Sequence, residues 1–523
     1  MDDIPSLNFK LLQDTAFWEG KRQLKLAITR PGYDPTHLTP LWAVFSPGNL
    51  ASAFLAELQQ ELIEKGVSKG AMLGIKTYDP RTITKARKHD NLITQVVMYP
   101  DKDHLDVRII ATFTEMLFGG PYFGGDDWNK VLKFAESPHL QLATINCPEA
   151  AYGVAYCGEG VEVISPLLKD DISLGRADSN PAKWTAFAYR RYQTTKAPFA
   201  FLSCTNFSSN GNFTRATVEE VARAWQKRGF VEQGFLDYLK SEVAFPNCMI
   251  DRITPEAGPN IVKYQRMFGF DARFVNTEPR WYWVIEDKFP QGRPRLEEAG
   301  VIFVDSYEKI KEYEDMKLRL LNMAHSTIAS LGILLGYDRV YKAIKDEDIY
   351  SLIKKIGEEE VLRVLERPAK IDPAEFFKET IDKRLPNPNI PDEPKRIALG
   401  FSTKIKPRFV DSILDNHQQG YQVNYLLLPM AGWLRYLLGV DDQGKEIELA
   451  PDPMLDDLKK YMQGIQLGSP ESLKDKLRPI LSNKNIMGVN LYEIGVGDKI
   501  EEFFKKMIVG VGAVRKTLRE LKS

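Results

Sequence analysis

Apolar residues follow two rhythms along this chain, and the rhythm changes past its middle. In the first part, short apolar runs bounded by turn residues alternate with amphipathic stretches. Residues 41–45 (LWAVF) predict a strand, Ser46-Pro47-Gly48-Asn49 a turn, 50–65 (LASAFLAELQQELIEK) an amphipathic helix, and 71–76 (AMLGIK) a second strand. Strand, glycine-containing turn, helix and strand within about 35 residues is the spacing of a βαβ unit. Further strand patterns fall at 91–98, 105–113, 140–146 and 199–203, with helical periods at 128–135 and 180–192 between them. This alternation predicts α/β architecture with a mostly parallel sheet.

From about residue 306 long helical periods take over, at 307–335, 346–365, 373–383, 407–415 and 499–521, with Pro and Asn clustered between them as in LPNPNIPDEP. The boundary is placed near Gly300, giving a cofactor-type region over 1–299 and a mainly α-helical region over 300–523. A chain of 523 residues has room for two or three domains. A net charge of −1 leaves no field that would recruit nucleic acid or an anionic membrane. The N-terminus MDDIPSLNFK lacks the basic and apolar segments of a signal peptide. The apolar run 425–440 is interrupted by Pro429 and Arg435, which argues against a membrane span. Cys147, Cys157, Cys204 and Cys248 form no CxxC pair, as expected of reduced thiols in a cytoplasmic protein without a metal site.

Five stretches carry candidate chemistry. The first turn, SPGN, offers Gly48 where a dinucleotide fingerprint has two or three glycines that let backbone amides approach a pyrophosphate. The second strand ends in Lys76-Thr77-Tyr78, with Asp79 beyond, so a choice between NAD and NADP is not legible there. SCTNFSSNG (203–211) places Asn206 just after an apolar strand, where ligands of open α/β sheets gather; Asn210 and Asn212 have turn-building as the competing reading. FPNCMIDRITP (245–255) holds an Asp-Arg pair that could be only a buried ion pair, and WVIEDKFPQGRP (283–294) ends an aromatic strand in a charged loop.

The fifth stretch, EYEDMKLRLLNMAH, is a largely apolar helix carrying Glu314, Lys317, Asn322 and His325. On a straight α-helix these four span an arc of about 140°, and Lys317 and His325 stand about 12 Å apart along the axis. A lysine held in apolar surroundings is driven towards its neutral form, which suits a general base near neutral pH. Equally, the lysine could reach solvent along its stem and the histidine could be a satisfied core residue. The residues alone leave both readings open.

SCTNFSSNG, FPNCMIDRITP, WVIEDKFPQGRP and YEDMKLRLLNMAHS, with RLPNPNIPDEPKRIALGFSTKIKPRF (384–409), resemble in order and spacing the motifs of the polyol-specific long-chain dehydrogenases. That family comprises mannitol 2-dehydrogenases with fructuronate and tagaturonate reductases, and the resemblance runs from about Leu41 to the C-terminus. It implies a Rossmann-like domain, a helical domain, an active site between them, a monomer, and metal-independent hydride transfer between a sugar alcohol or uronate and NAD, with NADP left open. The family's general base matches Lys317, its alkoxide-holding asparagines Asn206 and Asn322, its substrate-orienting histidine His325 and its proton-relay glutamate Glu314. Arg396, Lys404 and Asp251 match substrate-facing positions, and Ser46, Gly48, Asn49, Leu50 and Asp79 fall at the cofactor turn and strand end.

The chain departs from the family at that turn. Members carry GxGxFxRAH or GEGNFLRAF; here Ser46 replaces the first glycine and Ser52 the arginine. A segment at 36–39 and an N-terminal extension over 1–25 also lie outside the pattern. The leading expectation is a sugar-alcohol/ketose oxidoreductase of the mannitol/fructose type. A hexuronate reductase is the alternative and would need a further cation, for which Lys404, Lys406 and Arg408 are candidates; a non-redox epimerase or binding descendant is the third reading.

Overall fold

The computed structural model describes residues 4–23, 28–100, 105–120, 125–157 and 160–521. It divides into two compact units, one ending at Lys311 and the other running on from Glu312, so the division falls within the helix Tyr307–Met316.

The first unit is built on a six-stranded sheet. Its strands, in chain order, are β1 (Thr39–Phe45), β2 (Gly70–Lys76), β3 (Phe113–Phe118), β4 (Leu142–Ile145), β5 (Phe199–Ser203) and β6 (Val243–Ala244). They lie in the order β3-β2-β1-β4-β5-β6, every pair parallel, which is the doubly wound dinucleotide-binding order. Helices cover both faces, so strand residues are apolar on both sides. Ala43, Phe45, Ala143, Ile145, Phe199 and Phe201 enter one core. Trp42, Val44, Leu142, Ala200 and Leu202, the alternate positions, enter the other.

The predicted strand over 105–113 is broken. Leu105–Ile110 pairs antiparallel with Ile93–Met98 in a separate four-stranded sheet, and β3 begins only at Phe113. Both halves are apolar, so periodicity cannot register the change of sheet at Ala111-Thr112. The segment around residue 36 is a short turn, Pro35–His37, capped by Asp34 and leading into β1.

The second unit is helical. Its long first helix begins as Tyr307–Met316 and carries wide π turns at Lys317–Asn322 and Ile328–Gly332. The apolar run around Pro429 is the helix Leu427–Tyr436, every residue of which is buried. Pro429 sits in its first turn, where a missing N–H costs nothing. No helix among the described residues is long and apolar enough to cross a membrane. The predicted helix over 499–521 is two helices, Gly497–Met507 and Ala513–Glu520, parted where Gly510 and Gly512 take positive φ of 158° and 79°.

Candidate functional site

In the first unit, the ends of β1, β4 and β5 open into a cavity of about 340 Å³ lined by Gly48, Asn49, Leu50, Asn146, Cys147, Pro148, Glu149, Cys204, Thr205 and Asn206. β1 and β4 are the neighbours at which the strand order reverses, the point where an open α/β sheet splays apart to admit a ligand. Ser46, in place of a glycine, nevertheless takes the left-handed conformation, φ 53°. That conformation costs an L-residue about 1–2 kcal/mol. Two bonds hold it: Ser46 N–H donates to Ile75 O at 2.8 Å, and Ser46 Oγ shares a 2.6 Å hydrogen bond with Thr77 Oγ1. A Cβ added to Gly48 would meet nothing nearer than Ser46 O at 3.9 Å, so it would intrude on the cavity instead of the protein. The chain is helical from Asn49 to Glu64, including the π turn Ala51–Leu55, and its first amides face the turn. These features fit a dinucleotide whose phosphates approach the glycine and helix start.

The strand-end residues are arranged otherwise than the sequence suggested. Asp79 takes a positive φ of 34° and gives both carboxylate oxygens to Arg81 at 2.7 and 2.9 Å. Lys76 lies across the turn, donating to Pro47 O at 2.6 Å; burial and the charge of Arg273 push its ammonium down to about 7. Asn49 donates to Thr254 O at 3.4 Å. Asn206 is exposed at the cavity wall. Asn210 is buried and does more than build a turn: its side chain donates to Thr205 O and Cys248 O and accepts from Cys248 N–H, tying β5 to the strand Cys248–Asp251. Asp251 is buried at that strand's end. Arg252 pairs with Glu57 and donates to Ala53 O and Glu278 O.

In the second unit, the lysine helix departs from ideal α geometry. Met323 N–H donates to Leu318 O, five residues back, and the π turn runs over Lys317–Asn322. In an α-helix residues five apart are about 140° apart around the axis. Hydrogen bonds from i to i+5 bring them nearly one above the other, and such wide turns recur at functional sites. Lys317 and Glu314 are buried; Asn322 and His325, one turn apart, are half-exposed among buried neighbours. Burial lowers the His325 imidazole to about 4, with the charges of Arg408, Arg396 and Arg384 adding to the fall and Asp392 opposing it, so the ring is neutral at ordinary pH.

The cations of the 384–409 motif divide three ways. Arg396 is bound at both ends of its fork by Asp392, 2.7 Å each. Lys404 donates to Ile397 O at 2.8 Å and to Leu399 O, and burial with the charges of Arg408 and Arg396 brings it down to about 8. Lys406 forms an exposed pair with Asp411. Arg408 donates to Ser326 Oγ at 2.7 Å and Asn322 O at 3.3 Å, while its buried Nε has no partner among the described residues. Arg408 lay within a quoted motif and was legible as a candidate; Ser326 and Asp392, which position it and Arg396, were not. Among the described residues no cluster of His, Cys, Asp and Glu could hold a metal ion.

The strand order and the turn at its switch point define a Rossmann-type, dinucleotide-binding fold. Residues 45–298 match the mannitol dehydrogenase Rossmann domain and 309–493 the mannitol dehydrogenase C-terminal domain. The chain is 38% identical to D-mannonate oxidoreductase of Thermotoga maritima over 98% of both chains, so the N-terminal extension has a counterpart there. It is 32% identical to mannitol 2-dehydrogenase of Phaeosphaeria nodorum over 77% of this chain and 67% of that one. The solved ternary complex of Pseudomonas fluorescens mannitol 2-dehydrogenase with NAD and D-mannitol has the same fold, with TM-score 0.77, 23% identity and 99% of each chain covered. The protein belongs to the mannitol dehydrogenase family.

Proposed function

We propose that this enzyme interconverts a sugar alcohol and a ketose of the mannitol/fructose type, as a monomer, with Lys317 as general acid and base. The observation that carries the reading is the helix of the second unit, where a buried lysine opens a π turn closed by Asn322 and followed by a neutral His325. A nicotinamide cofactor held at the turn of Gly48 and Asn49 would supply the hydride acceptor in oxidation and the hydride donor in reduction. In oxidation Lys317 accepts the C2 hydroxyl proton as the C–H bond breaks, and in reduction it gives the proton back; Glu314, one turn earlier, relays it. Asn322 donates its amide to the oxygen that gains negative charge, and the family motif assigns Asn206 the same task. His325 holds a neighbouring hydroxyl, and Arg396, Lys404 and Asp251 orient the rest of the substrate.

Assays of fructose, fructuronate and tagaturonate with NADH and NADPH, followed by nicotinamide absorbance, test the substrate class. Lys317→Ala should lose about 10²–10⁴-fold in kcat/KM, with wild-type circular dichroism and melting. Retained turnover in a folded Lys317→Ala protein would sink this reading.

A hexuronate substrate is a compatible second reading, and one feature of the second unit bears on it. Arg384, Arg396 and Arg408 are close enough to His325 to depress it, and Arg396 alone of the three pairs with Asp392. Arg408 keeps a buried donor unused. Surplus positive charge with an unused guanidinium N–H suits a carboxylate-bearing substrate, and the Thermotoga maritima relative is named for such an acid.

A further inference from the structure

The turn of the first unit holds two half-buried cations that neither family motif nor fold accounts for. Arg273 lies just before the strand Phe274–Thr277, in a sheet separate from β1 and β2. Its side chain crosses to the cofactor helix, where Nη2 donates to Ser52 Oγ at 2.5 Å. Its Nη1 is buried with no hydrogen-bond partner among the described residues. Ser52 is itself fully buried, so a longer side chain there would occupy the space the guanidinium enters. On the other side, the Lys76 ammonium bonds Pro47 O beneath the same turn, close enough for the two charges to repel. No ion pair joins either cation to a carboxylate among the described residues, and the nearest acid, Asp79, is turned onto Arg81. Two half-hidden positive charges at one turn, with a donor unused, are costly unless an anion completes them.

We propose that Arg273 and Lys76 form the cation clamp for the dinucleotide's phosphoryl groups in this chain, with Ser52 as the small residue that lets the guanidinium in. The clamp supplies in space, from a strand 221 residues later, the positive charge that the family motif carries at position 52. Gly48 keeps the approach open, since a side chain there would point into the cavity. The unused Nη1 is a donor that a phosphoryl oxygen could complete, and a guanidinium fork prefers such oxygens to neutral acceptors. The proposal rests on the NAD-dependent reading above. It leaves two sources for the phosphoryl group, the pyrophosphate common to both cofactors and the ribose 2′-phosphate of NADP.

Binding, not turnover, tests it. Dissociation constants for NAD+ and NADP+ are measured by isothermal titration on the purified full chain and on R273M and K76M, with inorganic pyrophosphate as competitor. R273M should weaken binding by about tenfold or more. Equal losses for NAD+ and NADP+, with competition by pyrophosphate, assign the clamp to the pyrophosphate; a loss confined to NADP+ assigns it to the 2′-phosphate. Unchanged affinity of folded R273M for both cofactors overturns the clamp while leaving the enzyme NAD-dependent. Should R273M fail to fold, K76M decides in its place, and unchanged binding there overturns the proposal equally. A wild-type chain that binds neither cofactor would overturn the cofactor reading as well.

Discussion

Four arginines with buried donor groups divide into two pairs. Arg191 and Arg435 are fully buried and spend their donors on backbone carbonyls. Arg191 reaches Ala135, Ser137, Leu140, Ala197 and Pro198; Arg435 reaches Met507, Val440 and Asp441. Each closes loop ends that have no ladder or helix to satisfy them. Arg273 and Arg408 are half-buried, and the burial of their guanidinium groups pushes each down to about 10. Yet each keeps a buried N–H unused, and what each does touch is a serine hydroxyl beside the cofactor turn or the lysine helix. Burial of an arginine is therefore uninformative by itself. Full satisfaction marks a structural strut, and an unspent donor marks a place where something else is to bind.

The sharpest way to break that contrast is to remove a strut. Arg191→Met leaves five carbonyls without their donor and should cost about 3–5 kcal/mol in urea unfolding. The folded fraction should keep wild-type KM values. A loss of substrate or cofactor affinity with little change in stability would put Arg191 on the wrong side of the division.

Arg408→Met should behave in the opposite way. Deleting an unpaired buried charge leaves stability level or raises it. If the substrate carries a carboxylate, its KM should rise about 10–100-fold, the worth of a charged hydrogen bond, while fructose changes little. Equal losses on both substrates would instead make Arg408 a positioning residue, acting through its bonds to Asn322 O and Ser326 Oγ.

The same division explains what could be read from the sequence. The doubly wound sheet was legible because β1, β2 and β5 are short apolar runs with a glycine turn and a helix at the right spacing. Lys317, Asn322, His325 and Arg408 were legible because they lie within contiguous motifs. The π turn that aligns Lys317 with Asn322 was not, since a single inserted residue in a wide turn leaves apolar periodicity almost unchanged. Arg273 was invisible for another reason. Its partner is a serine in a distant segment, and a lone arginine in FGFDARF carries no spacing to argue from. Ser46 and Ser52 read from the sequence as losses; in the structure one holds the glycine's conformation and the other makes room for a guanidinium.

Lys76 offers the finest test of the contrast, because its charge can be titrated. The groups acting on it are Arg273, which lowers its affinity for a proton, and Asp79, which raises it, both secondary to burial. With a value near 7 in the folded chain against 10.5 for an exposed lysine, the unfolded chain binds the extra proton throughout that window. Stability therefore rises with pH between about 7 and 10.5 on this group's account, and the cost of its burial is present in full below pH 7. Lys76→Met should flatten that part of the stability curve. A phosphoryl group bound beside the ammonium favours its charged form, so NAD+ binding draws in a proton above pH 7. The wild-type dissociation constant should then climb by about three- to tenfold as pH rises from 7 to 9, with proton uptake visible as a buffer-dependent binding enthalpy. In Lys76→Met the affinity should be weaker at pH 7 and level across the range. A wild-type affinity that stays level over the same range would show that the lysine serves the fold alone, as Arg191 does, and would leave Arg273 as the sole cation offered to the cofactor.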